Sequence, residues 1–286
     1  MDERRVSVGV VCSLGVGPER GGRSSNQDNY LVCQDAGVRW RDGDREQILD
    51  AVARPEVLLA VADGMGGHED GEIAAAAAVQ ALSRLYGRSV PREPEAELRQ
   101  FLLETHQRVR ERVAMGGEVK MGTTLTVVWI VEDRAYWAHV GDSRLYHWRE
   151  GRLTRITRDQ TREEFAMRDG RPIPTHPRYL AQNFIFGSRG LGDDASLRID
   201  RGLDTGALTL RPGDRLLLSS DGLHGRLDDA LLADTLENVP APQACAVALA
   251  ERAIAWQSDD NITALVARME ANIVEEVDDA DTIIPV

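Results

Sequence analysis

Residues 57–67, VLLAVADGMGG, constrain the fold of this chain more than any other stretch. An apolar run reaches Asp63, and three glycines then follow within four positions. Glycine loses more backbone entropy on folding than any other residue, so this density needs a structural reason. We interpret the segment as a strand that ends in a loop, where something approaches the main chain so closely that side chains would obstruct it.

The remainder of the chain alternates between strand-like and helix-like segments. Apolar residues at every second position predict strands at both ends and in the middle of the chain. Stretches rich in Ala and Leu predict helices in two blocks, near 71–87 and 95–115 and again near 228–237 and 241–256. This arrangement favours a single α+β domain with mostly antiparallel sheets.

Two segments of this pattern carry more specific predictions. Residues 123–156 look like a meander of strands, with turns at Glu132–Asp133 and Glu150–Gly151. Residues 36–57 look like a surface insertion between two strands.

The composition argues against several classes of protein. The 286 residues carry 34 Lys and Arg against 47 Asp and Glu, a formal net charge of −13, which disfavours general binding to nucleic acid or anionic membranes. No apolar run approaches the roughly 18 residues of a membrane span, and no signal peptide is visible. The cysteines Cys12, Cys33 and Cys245 form no disulfide or metal motif. We therefore expect a cytoplasmic protein without nucleic-acid or membrane partners.

Five aspartates lie at the ends of predicted strands, each near Gly, Asn or Ser: Asp28, Asp63, Asp142, Asp221 and Asp260. Strand ends can converge on one cleft, and hard cations such as Mg²⁺ and Mn²⁺ take one or two carboxylates each together with waters and sometimes a main-chain carbonyl. A lone Asp-Gly after a strand is more often an ordinary turn. No His or Cys cluster has zinc spacing. The pattern indicates a cation site without identifying its reaction.

Six blocks, in this order, resemble the motif series of the metal-dependent protein phosphatases, also called the PPM or protein phosphatase type 2C family. They are RSSNQDNY, LLAVADGMGGHEDGE, MGTTLTVV, AHVGDSRLYHWREGRLTRITRDQT, DRLLLSSDGL and SDDNIT. The resemblance runs from about residue 6 to about residue 269. The Met-Gly-Gly-His form of the glycine loop is similar to the bacterial branch, whose usual partners are Ser/Thr protein kinases.

The resemblance implies an αββα sandwich, in which two central, mostly antiparallel β-sheets are flanked by α-helices. Residues 1–270 would form the catalytic domain and residues 271–286 an acidic, disordered tail. The implied activity is hydrolysis of phosphoserine and phosphothreonine in proteins, by in-line attack of a hydroxide that bridges two Mn²⁺ or Mg²⁺ ions. Phosphorylated proteins, including a cognate kinase, would be the partners of a monomeric enzyme.

The resemblance also assigns roles to individual residues. Asp63 would bridge both metals, and the carbonyl of Gly64 would bind one of them. Asp221 and Asp260 would hold the second metal. Asp28 would hydrogen-bond metal-bound water from the outer shell, and Arg23 would bind the substrate phosphate. Asp142 and Asp221 would hold a third, weaker metal. A side chain directly after Asp63 would then obstruct the metal and the phosphate.

Two departures from the family pattern, at Gly225 and Met65, and two open alternatives bear on this assignment. Family members often carry an Asp where this chain has Gly225, so the third metal site should be weak or absent unless His224 or water substitutes. The eukaryotic branch has a histidine where this chain has Met65, which leaves a metal-bound water as the expected acid. His68 could pack under the loop or line the cleft, and the arginine-rich flap at 159–192 could contact substrate or be a solvated loop.

Three other functions remain compatible with the residues. A pseudophosphatase would bind phosphoproteins without turnover, although the four aspartates Asp28, Asp63, Asp221 and Asp260 are all present. A phosphatase acting on anti-sigma-factor antagonists would share the catalytic core but usually carries regulatory segments. A metal-dependent hydrolase of small phosphoesters would differ in substrate preference.

Overall fold

A computed structural model gives the fold and describes residues 6–65, 70–88, 90–116, 122–168, 170 and 202–271. Its helices are α1 (Asp70–Tyr86), α2 (Pro94–Gly116), α3 (Arg162–Arg168), α4 (Asp221–His224), α5 (Asp229–Asn238) and α6 (Pro242–Ala255). Its strands are β1 (Val6–Ser13), β2 (Asp28–Asp42), β3 (Arg45–Met65), β4 (Gly122–Thr123), β5 (Leu125–Val131), β6 (Arg134–Val140), β7 (Arg144–Arg149), β8 (Arg152–Arg155), β9 (Asp204–Thr209), β10 (Arg215–Ser219) and β11 (Ile262–Met269).

The strands form two antiparallel sheets. One has the order β1-β11-β10-β7-β8 and the other the order β2-β3-β5-β6-β9, with the short β4 paired to β3. Helices α1 and α2 pack on the second sheet, and α5 and α6 pack on the first. The predicted α+β sandwich with flanking helices is confirmed.

Strand β3 shows why the run before Asp63 is apolar on both faces. Leu58 and Ala60 belong to the cluster that packs under α1 and α2. Leu59 and Val61 belong to the cluster between the two sheets, where they share a core with Leu218 of β10. Side chains alternate along a strand, so a strand covered on both faces needs apolar residues at every position. The inner strand thereby carries Asp63 to the edge of a rigid core.

The predicted meander at 123–156 is wrong in one respect, because its strands belong to different sheets. Strands β5 and β6 pair with each other, but β7 pairs with β10 and β8 in the other sheet. The chain crosses over at Gly141, whose φ of 110° lies in a region that side chains rarely adopt. The turns at Glu132 and Glu150 occur as expected, both with positive φ.

The predicted surface insertion at 36–57 is also wrong. These residues continue β2 and β3 as one long hairpin rather than as an irregular excursion. Val38 and Trp40 of this hairpin are buried in the cluster beneath α1. Their alternation with the charged residues Arg39 and Arg41 is a strand pattern that the high local charge concealed.

Some predictions fall outside the described residues. These are the position of His68, most of the flap (residues 171–192 of it) and nearly all of the acidic tail (272–286). The predicted domain boundary at 270 stays a prediction. No helix in the described part of the chain combines the length and the apolar character needed to cross a bilayer.

Candidate metal centre

The five predicted aspartates lie where strands of both sheets end. Asp28 is the first residue of β2 and lies opposite Asp63 in the register of β2 and β3. From the other sheet, Asp221 follows β10 as the first residue of α4, and Asp260 comes two residues before β11 begins. Asp142 occupies the crossover between β6 and β7. The structure therefore brings all five to one edge of the sandwich.

The pKa of Asp63 shows how close these carboxyl groups are. Burial raises the pKa of Asp63 well above its usual range, and the charges of the four other aspartates raise it further. Asp63 and Asp221 are within hydrogen-bonding reach of each other. Burial and the charge of Asp260 also raise the pKa of Asp221 to about 6, against the lowering effect of the hydrogen bond with Asp63. Burial and mutual repulsion destabilise the charged form of these carboxyl groups, and a bound cation would offset that free-energy cost.

Asp28 is held from the opposite sheet by two hydroxyl groups. Its Oδ2 accepts hydrogen bonds from Ser220 Oγ at 2.6 Å and from Thr263 Oγ1 at 2.7 Å. The side chain is buried, which raises the pKa of Asp28 to about 7 against the lowering effect of the two hydroxyl groups. This carboxylate is therefore fixed in one orientation between the sheets.

Arg23 is the cation that faces the acidic cluster. Its Nη2 donates to Asp260 Oδ2 at 2.8 Å, and its side chain is 53% exposed. The charges of Asp63 and Asp221 also act on the guanidinium. An exposed arginine beside a buried acidic cluster can bind an incoming anion with its free donors.

The glycine after Asp63 has a steric reason that the sequence did not show. A Cβ built on Gly64 would lie 2.1 Å from the carbonyl oxygen of Gly71 and 2.7 Å from that of Gln27. The expected obstruction of metal and phosphate stays a prediction beside this observed close approach. Gly64 and Gly71 let the end of β3 lie directly against the start of α1, backbone to backbone.

Asp142 is connected to Asp63 through the buried hydroxyl groups of Thr124 and of Ser143, the residue that follows Asp142. The main-chain N–H of Asp63 donates to Thr124 Oγ1 at 2.9 Å, and Thr124 Oγ1 lies 2.7 Å from Ser143 Oγ. Burial and then the charge of Asp221 raise the pKa of Asp142 to about 8. Gln160 fixes the same crossover, because its Oε1 accepts from the N–H of Gly141 at 2.9 Å.

Gly225, where family members often carry an Asp, lies close to the main-chain carbonyl of Asp221. The N–H of Gly225 donates to the carbonyl of Asp221 at 2.7 Å, and a Cβ at Gly225 would lie 2.6 Å from that oxygen. His224 Nδ1 is engaged by Ser219 Oγ at 2.9 Å. The weak third site stays a prediction.

The residues fit divalent cations that prefer oxygen. The donors are carboxylates and main-chain carbonyls, the ligands of Mg²⁺ and Mn²⁺. Among the described residues, no three His, Cys, Asp or Glu side chains close around one point. Each cation would accordingly take one or two carboxylates and complete its shell with water, as these ions commonly do.

Sequence reasoning missed the residues that hold the aspartates in place. Ser220, Thr263, Thr124 and Ser143 all make hydrogen bonds at this centre, yet they look like ordinary strand residues. Their only signal is position, since each lies within three residues of a predicted ligand or in a motif block.

Comparison with known proteins gives this arrangement a family. A family model described as protein phosphatase 2C matches residues 22–251. The chain belongs to the protein phosphatase 2C family. It is 32% identical over 219 residues to the serine/threonine protein phosphatase PstP of Mycobacterium tuberculosis, an alignment that covers 76% of this chain and 41% of PstP. The chain thus spans less than half the length of that relative.

Two further comparisons extend over nearly the whole of the other chain. The serine/threonine phosphatase stp of Listeria innocua is 28% identical over 252 residues, covering 85% of this chain and 95% of stp. A crystal structure of the PstP catalytic domain in complex with two manganese ions matches with a TM-score of 0.69 and 28% identity, covering 93% of this chain and 99% of that one. The protein phosphatase 2C fold therefore extends across most of this chain.

Proposed function

We propose that this chain is a metal-dependent protein serine/threonine phosphatase of the 2C family. The observation that carries the proposal is the cluster of five aspartates at one edge of the sandwich, with Arg23 at its rim. Raised carboxyl pKa values next to an exposed guanidinium are typical of a site that binds metal ions and an anionic substrate. Residues 1–270 are the proposed catalytic domain.

The proposed roles follow from position. Asp63, with the carbonyl of Gly64, would hold metal between the two sheets, and Asp221 and Asp260 would contribute from the other sheet. When bound, a pair of Mn²⁺ or Mg²⁺ ions supplies Lewis acidity that lowers the pKa of water toward neutrality and neutralises phosphoryl charge. The family relative PstP supports this assignment, because its catalytic domain is known with two manganese ions.

Arg23 and Asp28 would act on the substrate and on water. The planar guanidinium of Arg23 has free donors that can bind two phosphoryl oxygens at once. Asp28 is fixed by Ser220 and Thr263, so its remaining oxygen can orient a water in the centre. Neither role requires a nucleophile from the protein, and the three cysteines are left without a part in the reaction.

The names of the relatives support phosphorylated proteins as substrates, since PstP and stp are both serine/threonine phosphatases. We extend the proposal to a cognate Ser/Thr kinase as partner, a monomeric state and a cytoplasmic location. The weaker third metal on Asp142 belongs to the same proposal.

The test is phosphate release by the full chain from a phosphothreonine peptide, with and without Mn²⁺. We expect release that requires Mn²⁺, stops with EDTA, returns with excess Mn²⁺ and exceeds release from phosphotyrosine peptide or a small aryl phosphate. No release from any of these by a folded chain would exclude the phosphatase and favour a phosphoprotein-binding module. Faster turnover of the small ester would favour a small-molecule hydrolase.

A further inference from the structure

The long β2–β3 hairpin folds back onto the strand that carries Asp28. Arg41 Nη1 donates to the main-chain oxygen of Asp28 at 2.9 Å, although the two residues are 13 positions apart in the same strand. A straight strand rises about 3.3 Å per residue, which would separate them by roughly 40 Å. The register of the hairpin shifts on both sides of Asp35, whose φ is 53°. Such bulges bend a strand, and this bend returns the end of the hairpin to the metal centre.

Three consecutive residues of β2 hold the returned end. Asp28 accepts the hydrogen bond from the Arg41 guanidinium. The Asn29 side chain bonds the main chain of Arg41 twice, as Oδ1 accepts from its N–H at 3.0 Å and Nδ2 donates to its carbonyl at 2.9 Å. Tyr30 completes the set with a hydrogen bond from its hydroxyl to Glu46 Oε1. The Asn29 amide thus satisfies the main-chain N–H and carbonyl of Arg41, as a neighbouring strand would.

The Arg41 guanidinium connects several groups behind the acidic cluster. Besides Asp28 it donates to the carbonyl of Gly43 at 2.8 Å and contacts Cys12 Sγ at 3.5 Å. Its side chain is 11% exposed. A planar guanidinium can serve several acceptors at fixed angles, which a lysine ammonium cannot reproduce.

Asp28 is therefore held from two directions. Ser220 and Thr263 of the opposite sheet fix its carboxylate, and Arg41 fixes its main chain. Asp28 is the first residue of β2, and its own N–H donates to Asn26 Oδ1 at 3.1 Å, so Arg41 is the link between its carbonyl and the returned end of the hairpin. Without Arg41, the end of the strand could shift while the carboxylate stayed attached to its hydroxyl partners.

We propose that Arg41 is a positioning residue, which acts through the main chain of Asp28 and keeps that carboxylate in register with Asp63. The inference rests on the proposed phosphatase activity. Arg41 itself does not touch substrate or metal. The role of the hairpin in this proposal is limited to presenting Arg41 to Asp28.

The experiment compares Arg41→Ala, Arg41→Lys and the control Arg45→Ala in the full chain. Arg45 is exposed at the turn of the same hairpin and carries the same charge. We expect Arg41→Ala to lower kcat for phosphothreonine peptide by roughly ten- to a hundredfold with KM little changed, because sub-ångström placement of catalytic groups controls turnover. Arg41→Lys should recover only part of the loss, and Arg45→Ala should match the wild type.

Two readouts are independent of turnover. Amide hydrogen exchange should speed up in peptides that cover residues 38–46 of Arg41→Ala and stay unchanged in β5. Calorimetric titration with Mn²⁺ should give the same affinity as the wild type, because no proposed ligand is removed. A thermal melt of each variant verifies that kcat refers to folded protein.

Several outcomes would overturn the inference. One is a kcat for Arg41→Ala equal to that of Arg45→Ala, and another is a rise in KM alone, which would indicate substrate contact. Unchanged amide exchange in the hairpin would show that Arg41 does not fasten it, whether or not the wild type is active. If the wild type releases no phosphate, the proposed function fails separately, and the exchange result still decides whether Arg41 holds the hairpin to Asp28.

Discussion

At the scale of single residues, hydroxyl groups hold the charged groups of the centre in place. The carboxylate of Asp28 accepts hydrogen bonds from Ser220 and Thr263, and the N–H of Asp63 donates one to Thr124. Burying a carboxylate costs desolvation free energy. Without such hydrogen-bond donors, its interactions with neighbouring groups would not offset that cost. The aspartates could be predicted from the sequence because they stand at strand ends beside glycine. The serines and threonines could not be predicted as site residues, because threonine is common in strands where its side chain only packs.

Thr263→Val tests this support. The substitution keeps the shape of the side chain and removes one donor to Asp28 Oδ2. We expect kcat on phosphothreonine peptide to fall by roughly ten- to a hundredfold, as is common when a group that orients a catalytic residue is lost. Steady-state kinetics on the purified variant measure the effect, with Thr154→Val on the exposed face of β8 as the control. Equal kcat values for the two variants would show that Ser220 suffices.

At the scale of elements, the centre depends on how closely β3 meets α1. The sequence predicts the strand, the helix and the glycines between them, and all three are present. It did not show the steric reason for Gly64, because a sequence shows which residue lacks a side chain but not which atoms lie opposite. Those atoms are the carbonyls of Gly71 and Gln27. The same limit hid the hairpin at 36–57, whose buried Val38 and Trp40 alternate with arginines.

Gly64→Ala tests the contact between β3 and α1. The added Cβ would lie 2.1 Å from the carbonyl oxygen of Gly71, which is backbone and cannot rotate away. We expect the free energy of unfolding to fall by about 3 kcal/mol, at the upper end of overpacking effects. Gly87→Ala is the matched control, since its Cβ would meet its nearest atom, the carbonyl oxygen of Ser83, at an ordinary 3.6 Å. Urea denaturation of both variants gives the comparison, and similar midpoints would contradict the close approach.

At the scale of the whole molecule, the centre exists because two sheets end at the same edge. Asp28 and Asp63 come from one sheet, and Asp221 and Asp260 come from the ends of strands in the other. The crossover at Gly141 then brings Asp142 near Asp63 and Asp221. Periodicity predicted each strand but not which sheet it joins, because pairing partners far apart in sequence leave no local signal. The order of the motif blocks supplied the missing topology, since it is similar to a family whose fold is known.

The most direct test of the whole account is phosphate release by Asp63→Asn at saturating Mn²⁺, measured beside the wild type and Asp259→Asn. Asp63 is the aspartate on which all the others act, and Asp259 is an exposed neighbour of Asp260 that we assign no role. We expect a loss of roughly 10²-fold or more in kcat for Asp63→Asn, because the proposed metal pair would lose the carboxylate assigned to both ions, and near-normal turnover for Asp259→Asn. Undiminished release by a folded Asp63→Asn would contradict the account, since the reaction would then take place without the centre that the two sheets build.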